Sequence, residues 1–255
     1  MLAQERRNLI LEKLMNDKKI IVSEMSKEYK VSEETIRRDL EKLADKGFAT
    51  KTYGGAILNE NVGLDMPLNI RSKKNVAAKQ TMALLAASMI HDGDHIMLDA
   101  SSTALFIAKE IKDKQNLTVI TNSLEIMLEL SDVSGWTVVS SGGDLKEGYI
   151  ALVGPAARRS LAAYCVDKSF LSCKALHRQR GVMESVEDIA DIKCAMIEAA
   201  EKRYLIADHS KFDRTAFSRV GNLELADVLI TDQKPSDDWL EYLSAAQVEC
   251  IYPDK

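Results

Sequence analysis

The sequence predicts an α/β protein in two parts, a small helical head closed by a hairpin and a larger domain of alternating strands and helices. Three observations carry this. Up to about residue 58, helix-period apolar patterns lead into Gly54-Gly55 flanked by short β-branched runs. Beyond residue 65, short apolar runs such as Ile96-Met97-Leu98 and Leu117-Thr118-Val119-Ile120 alternate with helical stretches. Between them, Asn59 to Pro67 is polar and without helical period. The expected division is therefore a head at 1–58, a linker at 59–70 and a body at 71–255, which 255 residues accommodate.

In the head, Leu2 to Leu14 reads as a helix with Leu9, Ile10 and Leu14 on one face. Lys19 to Val22 is a short strand, and Ser23 is a candidate N-cap for a helix running to Tyr29. Lys30-Val31-Ser32 is the turn. Ser32 then caps a second helix from Glu33 to Lys46, closed by Gly47. Phe48 to Thr52 and Ala56 to Leu58 flank Tyr53-Gly54-Gly55, a hairpin whose glycines are expected at positive φ.

At about 100° per residue, Ile36, Leu40 and Leu43 converge on one stripe of the second helix. Arg38 falls nearly opposite, with Thr35 and Lys42 on the same outer side and Arg37 on the flank. Such a helix is anchored by aliphatics and turns guanidiniums outward, as reading base edges in a major groove requires. By itself this is also what a solvated face beside Glu34, Asp39 and Glu41 looks like. A three-residue turn before the helix and a Gly-Gly hairpin after it describe a winged helix-turn-helix.

Val31-Ser32-Glu33-Glu34-Thr35-Ile36-Arg37-Arg38-Asp39-Leu40, followed by Tyr53-Gly54-Gly55-Ala56, resembles the signature of the DeoR family of bacterial transcriptional regulators. Lys51 stands where arginine is common. The expected DNA-binding set is Ser32, Thr35, Arg37, Arg38, Lys42, Lys51, Tyr53, Gly54 and Gly55. The resemblance implies a body that senses a phosphorylated sugar and shares its fold with ribose-5-phosphate isomerase.

In the body, Arg71, Asn75 and Lys79 match the family's R-x3-N-x3-K run, and share one face if the stretch is a single helix. Ile96 to Leu98 ends in Asp99-Ala100-Ser101-Ser102-Thr103 before a helix, a hydroxyl-rich strand-to-helix turn suited to cradling phosphate. The family usually has glycine where Ser102 stands, so a positive φ there would strain this chain. Thr121-Asn122, Ser140-Ser141-Gly142-Gly143 and Asp208-His209-Ser210-Lys211-Phe212 follow other strands, where open α/β sheets collect ligands. The expected effector set is Arg71, Lys79, Asp99, Ala100, Ser101, Ser102, Thr103, Asn122, Gly142, Gly143, Lys193, Asp208 and Lys211. Lys211 is the favoured cation for the phosphate, and Lys193 reads equally as a solvated helix residue.

Composition narrows the classes further. With 46% hydrophobic and 29% charged residues the chain is neither disordered nor fibrous. The longest uncharged apolar run, roughly Thr81 to Ile90, falls short of the ~20 residues of a spanning helix, and the first residues lack a leader's apolar core. Cys165, Cys173, Cys194 and Cys250 show no CxxC spacing and read as core thiols of a cytoplasmic protein. His91 and His95 flank a turn, so no metal is expected.

Net charge is −5, yet residues 1–60 carry 12 Lys/Arg against 11 Asp/Glu. DNA contact must then use a local basic face rather than a global field. The partners expected are double-stranded operator DNA, a sugar phosphate and further copies of the chain as a dimer or tetramer, with no membrane and no cofactor. The function expected is transcriptional regulation of carbohydrate genes, most often repression in the family. The alternative is a sugar-phosphate isomerase-like enzyme with an accessory DNA-binding head. No catalytic residue stands out, since no acidic or Lys-Gly-Gly loop of the isomerase type is clear and Ser101 and Ser102 lack a histidine nearby in sequence.

Overall fold

A computed structural model describes residues 1–59 and 68–253. The chain forms two compact units, Met1–Leu64 and Asp65–Lys255.

The first unit runs α1 (Ala3–Asp17), β1 (Lys19–Ile21), α2 (Val22–Tyr29), α3 (Glu33–Asp45), β2 (Ala49–Thr52) and β3 (Gly55–Leu58). The strands form one antiparallel sheet in the order β1-β3-β2, with Ile20 opposite Ala56 and Lys51 opposite Ala56 from the other side. This is a winged helix-turn-helix, with the β2–β3 hairpin as wing. Ile10, Leu11, Leu14, Ile20, Val22, Met25, Ile36, Leu40, Leu43 and Phe48 are the larger of its buried apolar side chains, joined by Ala49 and Ala56.

Three local expectations differ. Leu9 is partly exposed and Leu11 takes its place in the core. Helix α2 begins two residues early, with Ile21 rather than Ser23 at the N-cap. Gly54 and Gly55 are not at positive φ. Gly55 is needed for space instead, since a Cβ there would lie 1.9 Å from the Ile20 carbonyl oxygen of the neighbouring strand.

The second unit runs α4 (Leu68–Arg71), α5 (Val76–Ser88), β4 (His95–Leu98), α6 (Ser102–Glu110), β5 (Thr118–Thr121), α7 (Leu124–Leu130), β6 (Thr137–Ser140), β7 (Asp144–Lys146), β8 (Ala151–Val153), α8 (Gly154–Leu161), β9 (Val166–Ser172), β10 (Ala175–His177), β11 (Gly181–Glu184), α9 (Glu187–Glu198), β12 (Ala200–Ile206), β13 (Ser218–Gly221), β14 (Val228–Ile230), α10 (Asp237–Ala245) and β15 (Glu249–Ile251). Seven of these strands form a parallel sheet in the order β15-β14-β12-β9-β4-β5-β6. β10, β11 and β13 make a small antiparallel sheet, and β7 pairs with β8. The central strands are apolar on both faces, as a sheet covered twice must be. Ile96, Leu98, Val119 and Phe170 pack with α5 and α6, whereas Met97, Ile120 and Leu171 pack with α8 and α9.

Most of the expected linker, residues 60–67, lies outside the described residues. Its last part does not behave as a linker. Residues 68–71 are helical, Leu68 and Ile70 are buried, and the Leu68 N–H donates to the Gly148 carbonyl at 3.0 Å.

Candidate nucleic-acid interface and ligand site

Helix α3 is set by a local cap and a distant clamp. Ser32 Oγ accepts the Thr35 N–H at 3.2 Å and lies 2.9 Å from Thr35 Oγ1, so both hydroxyls are engaged at the cap. Ile36, Leu40 and Leu43 are buried, which leaves Arg38 75% exposed and Arg37 52% exposed on the outer side. Lys42 and Lys51 are exposed, and Tyr53 stands fully out of the hairpin with the exposed Gly54 beside it.

Asp39 overturns the reading that placed it among solvated charges. It is buried, accepting from Arg6 Nε at 2.6 Å and from Arg7 Nη1 at 3.4 Å, and so fixes the roll of α3 against α1. Its partners lie more than thirty residues away in sequence, and no local pattern announces them.

The body gathers polar groups along the carboxyl edge of its sheet. The chain visits β4, β5 and β6 in one direction and β9, β12, β14 and β15 in the other, so the switch point falls between β4 and β9. Asp99 occupies it. This buried carboxylate accepts from the Ser101 N–H at 3.2 Å, from the Ser172 N–H at 3.0 Å and from Lys193 Nζ. Lys193 also donates to the Ser172 carbonyl at 2.6 Å and lies 3.2 Å from Glu184 Oε1. Burial alone would lower the Lys193 pKa, but Asp99 and Glu184 outweigh it and hold the ammonium above its ordinary range. Lys193 is therefore a buried tie and not the solvated alternative.

A second cluster surrounds Asp208. Asn75 Nδ2 donates to Asp208 Oδ1 at 3.3 Å and to Ser210 Oγ at 3.4 Å, and the Ser210 N–H donates to Asp208 at 2.9 Å. Burial would raise the Asp208 pKa, yet Ser210, Lys211 and Lys79 together hold it below the usual carboxylate range. Lys79 is buried, donating to the carbonyls of Arg71 (2.8 Å) and Lys74. Burial pushes its ammonium down to about 8, with Lys211, Arg71 and Lys74 adding to the fall and Asp208 opposing it. Arg71 stacks over the Tyr149 ring at 5.0 Å. Arg71, Asn75 and Lys79 do not share one helix: Asn75 is left-handed (φ 51°) between α4 and α5, and Lys79 reaches back across that break.

The remaining expected residues fall nearby in the topology. Buried Ala100 leads into Ser101, the N-cap of α6, whose Oγ accepts the Ala104 N–H at 3.0 Å. Ser102 and Thr103 are buried in the first helical turn. Asn122 lies beside Asp99 along the sheet edge, because Leu98 faces Thr121 in register. Its Nδ2 donates to the Leu152 carbonyl at 3.0 Å, while its buried Oδ1 has no hydrogen-bond partner among the described residues. Gly142 and Gly143 are exposed at φ 62° and 106°, and a Cβ on Gly143 would meet the Val153 carbonyl at 2.4 Å. Among the described residues no group of three or more His, Cys, Asp and Glu is placed to hold a metal ion, and no helix is long and apolar enough to cross a membrane.

Residues 6–62 match the DeoR-like helix-turn-helix domain and residues 74–233 the DeoR C terminal sensor domain. The "uncharacterized HTH-type transcriptional regulator YulB" of Bacillus subtilis is 41% identical over 232 residues, 91% of this chain and 90% of that one. The chain belongs to the DeoR family. It is a DNA-binding transcriptional regulator with a sensor domain. "Transcriptional repressor AccR" of Agrobacterium fabrum is 34% identical, covering 90% of this chain and 89% of its own. The "L-fucose operon activator" of Escherichia coli is 33% identical, covering 90% and 95%. Among solved structures, ribose 5-phosphate isomerase A of Methanocaldococcus jannaschii aligns with 55% of each chain at 17% identity and a TM-score of 0.41.

Within this DeoR-family sensor domain, Ser102 needs no glycine-like backbone, because it is the first residue of α6 and not at positive φ. Sequence reading missed Glu184, which is buried at the end of an otherwise apolar strand and faces Lys193. An acidic side chain closing the run Gly181-Val182-Met183 was the available signal.

Proposed function

We propose that this DeoR-family regulator represses carbohydrate genes in the cytoplasm and is released from, or tuned on, its operator by a phosphorylated sugar. The outward basic face of α3 carries the reading: Arg37 and Arg38 are presented by a helix whose opposite stripe is buried. In a major groove, Arg38, Arg37, Thr35 and Lys42 face base edges and phosphates. Ser32 and the wing residues Lys51, Tyr53, Gly54 and Gly55 face the backbone. Relatives named for an L-fucose operon and an aga operon support carbohydrate genes as the target class. A dimer or tetramer presents two such helices to successive grooves ~34 Å apart.

In the body, Lys211 and Lys79 supply cations to the phosphate with Arg71 behind them, and the first turn of α6 (Ser101, Ser102, Thr103) supplies N–H groups and hydroxyls. Asp208 and the free acceptor Asn122 Oδ1 take sugar hydroxyls. Gly142 and Gly143 leave backbone open at the rim, and Asp99 with Lys193 holds the switch-point loops together. The body acts by binding, not turnover. Asp99, the carboxylate at the switch point, is already bonded to an ammonium and two N–H groups of its own chain, so it is committed to tying loops together rather than free to meet a substrate C–H.

Gel retardation on the intergenic DNA beside its own gene tests the whole reading. A pentose- or hexose-phosphate should alter a retarded band that the free sugar leaves alone, and Lys211→Ala should keep the band while blunting the response. No band with or without sugar phosphates, or turnover of a sugar phosphate without DNA binding, overturns the reading.

A further inference from the structure

Three of the four cations placed on the candidate DNA face, all but Lys42, are each paired with a carboxylate of the same head. Arg37 Nη2 lies 2.8 Å from Glu33 Oε2, Arg38 Nε 3.3 Å from Glu34 Oε1, and Lys51 Nζ 3.0 Å from Glu41 Oε1. The first two pairs are one helical turn apart on α3, and the third ties the wing strand β2 to that helix. Glu33 and Glu34 also occupy the first turn of α3, where they oppose the positive end of the helix dipole that would otherwise draw phosphate. These six side chains together carry no net charge.

We propose that Glu33, Glu34 and Glu41 are specificity-determining residues, fixed counter-charges that suppress binding to arbitrary DNA while leaving sequence-specific binding competitive. The inference rests on α3 and the wing being the DNA-reading surface. Non-specific binding is driven almost wholly by cations replacing the counterions of phosphate. A cation already neutralised by a carboxylate gains little from that exchange, and the carboxylate itself is repelled by the backbone. Specific binding adds directional bonds from the guanidiniums to base edges. Those bonds repay displacement of an exposed ion pair, which is worth little by itself. The carboxylates therefore lower both affinities, and the non-specific one more.

The test uses the full-length protein with Glu33→Gln, Glu34→Gln and Glu41→Gln, singly and together. Glutamine keeps helix propensity and shape, and circular dichroism checks the fold. One probe is a short random-sequence duplex, the other the duplex that the unaltered protein selects from a randomised pool. Binding is followed by fluorescence anisotropy between about 50 and about 200 mM salt. On the random duplex, each carboxylate removed should steepen the log–log salt dependence by about 0.9, so that a fourfold fall in salt gains about threefold more affinity per substitution. On the selected duplex the gain should be smaller, so the ratio of specific to non-specific affinity falls.

An unchanged slope and ratio in the triple variant, with the unaltered protein still selecting a sequence, overturns the proposal but not the DNA-reading surface. A loss confined to the selected duplex overturns it too, by showing a carboxylate that reads a base edge itself. If the unaltered protein selects no sequence and Arg38→Ala changes nothing, the surface assignment fails and the proposal falls with it.

Discussion

At the scale of single residues, the two wing glycines are not equivalent. Gly55→Ala drives a methyl group into the Ile20 carbonyl at 1.9 Å, with backbone on both sides and nothing able to yield. The head should lose about 3 kcal/mol or more in a denaturant melt. Gly54→Ala has nothing within 4 Å and no positive φ, so it should stay within about 0.5 kcal/mol. Lys79 gives a pH signature. Its pKa of about 8 lies below the ordinary 10.5, so the cost of burying the ammonium is fully present below about pH 8. That cost is relieved as pH rises from about 8 to about 10.5, and body stability measured against Lys79→Met should rise over that window by about 3 kcal/mol. A bound phosphate favours the charged form, so binding takes up a proton. Calorimetric affinity for a sugar phosphate should therefore fall as pH climbs past about 8. A flat profile between pH 7 and about 10 would remove Lys79 from the phosphate site.

Elements were legible wherever their causes are local. Helix α3 follows from a serine cap and a 3.6-residue stripe, and the parallel strands follow from short apolar runs ending in polar turns. What sequence could not show is the set of ties between elements. Asp39 meets Arg6 across 33 residues and Lys193 meets Asp99 across 94, and an isolated charge on a helix looks the same whether solvated or buried. The switch point depends on such a tie. Lys193→Met leaves Asp99 and Glu184 buried side by side without their cation, and should cost the body about 3–5 kcal/mol in a denaturant melt. Adding Asp99→Asn should return part of that loss, because one of the two stranded charges is then gone. If the double variant is as unstable as the sum of the singles, measured by a double-mutant cycle, the tie does not hold the β4 and β9 ends together.

For the molecule as a whole, two compact units with separate cores imply two thermal transitions, the smaller unit being the more marginal. A ligand that binds one folded unit stabilises it by mass action, about 2.7 kcal/mol at a hundredfold excess over its dissociation constant. For a unit the size of the head that is a rise of about 10–20 °C, and for one the size of the body about 5–10 °C. Calorimetry with the selected duplex should therefore raise one transition, and a sugar phosphate the other. Regulation demands more than two independent shifts. If the sugar phosphate weakens DNA binding by a factor, DNA must weaken sugar-phosphate binding by the same factor, because coupling between sites is reciprocal. The shift produced by the sugar phosphate should then shrink when the selected duplex is present, by about 1–3 kcal/mol of coupling. An identical shift with and without DNA would mean that the two units share a chain but not an equilibrium, and that the metabolite cannot be what releases the operator.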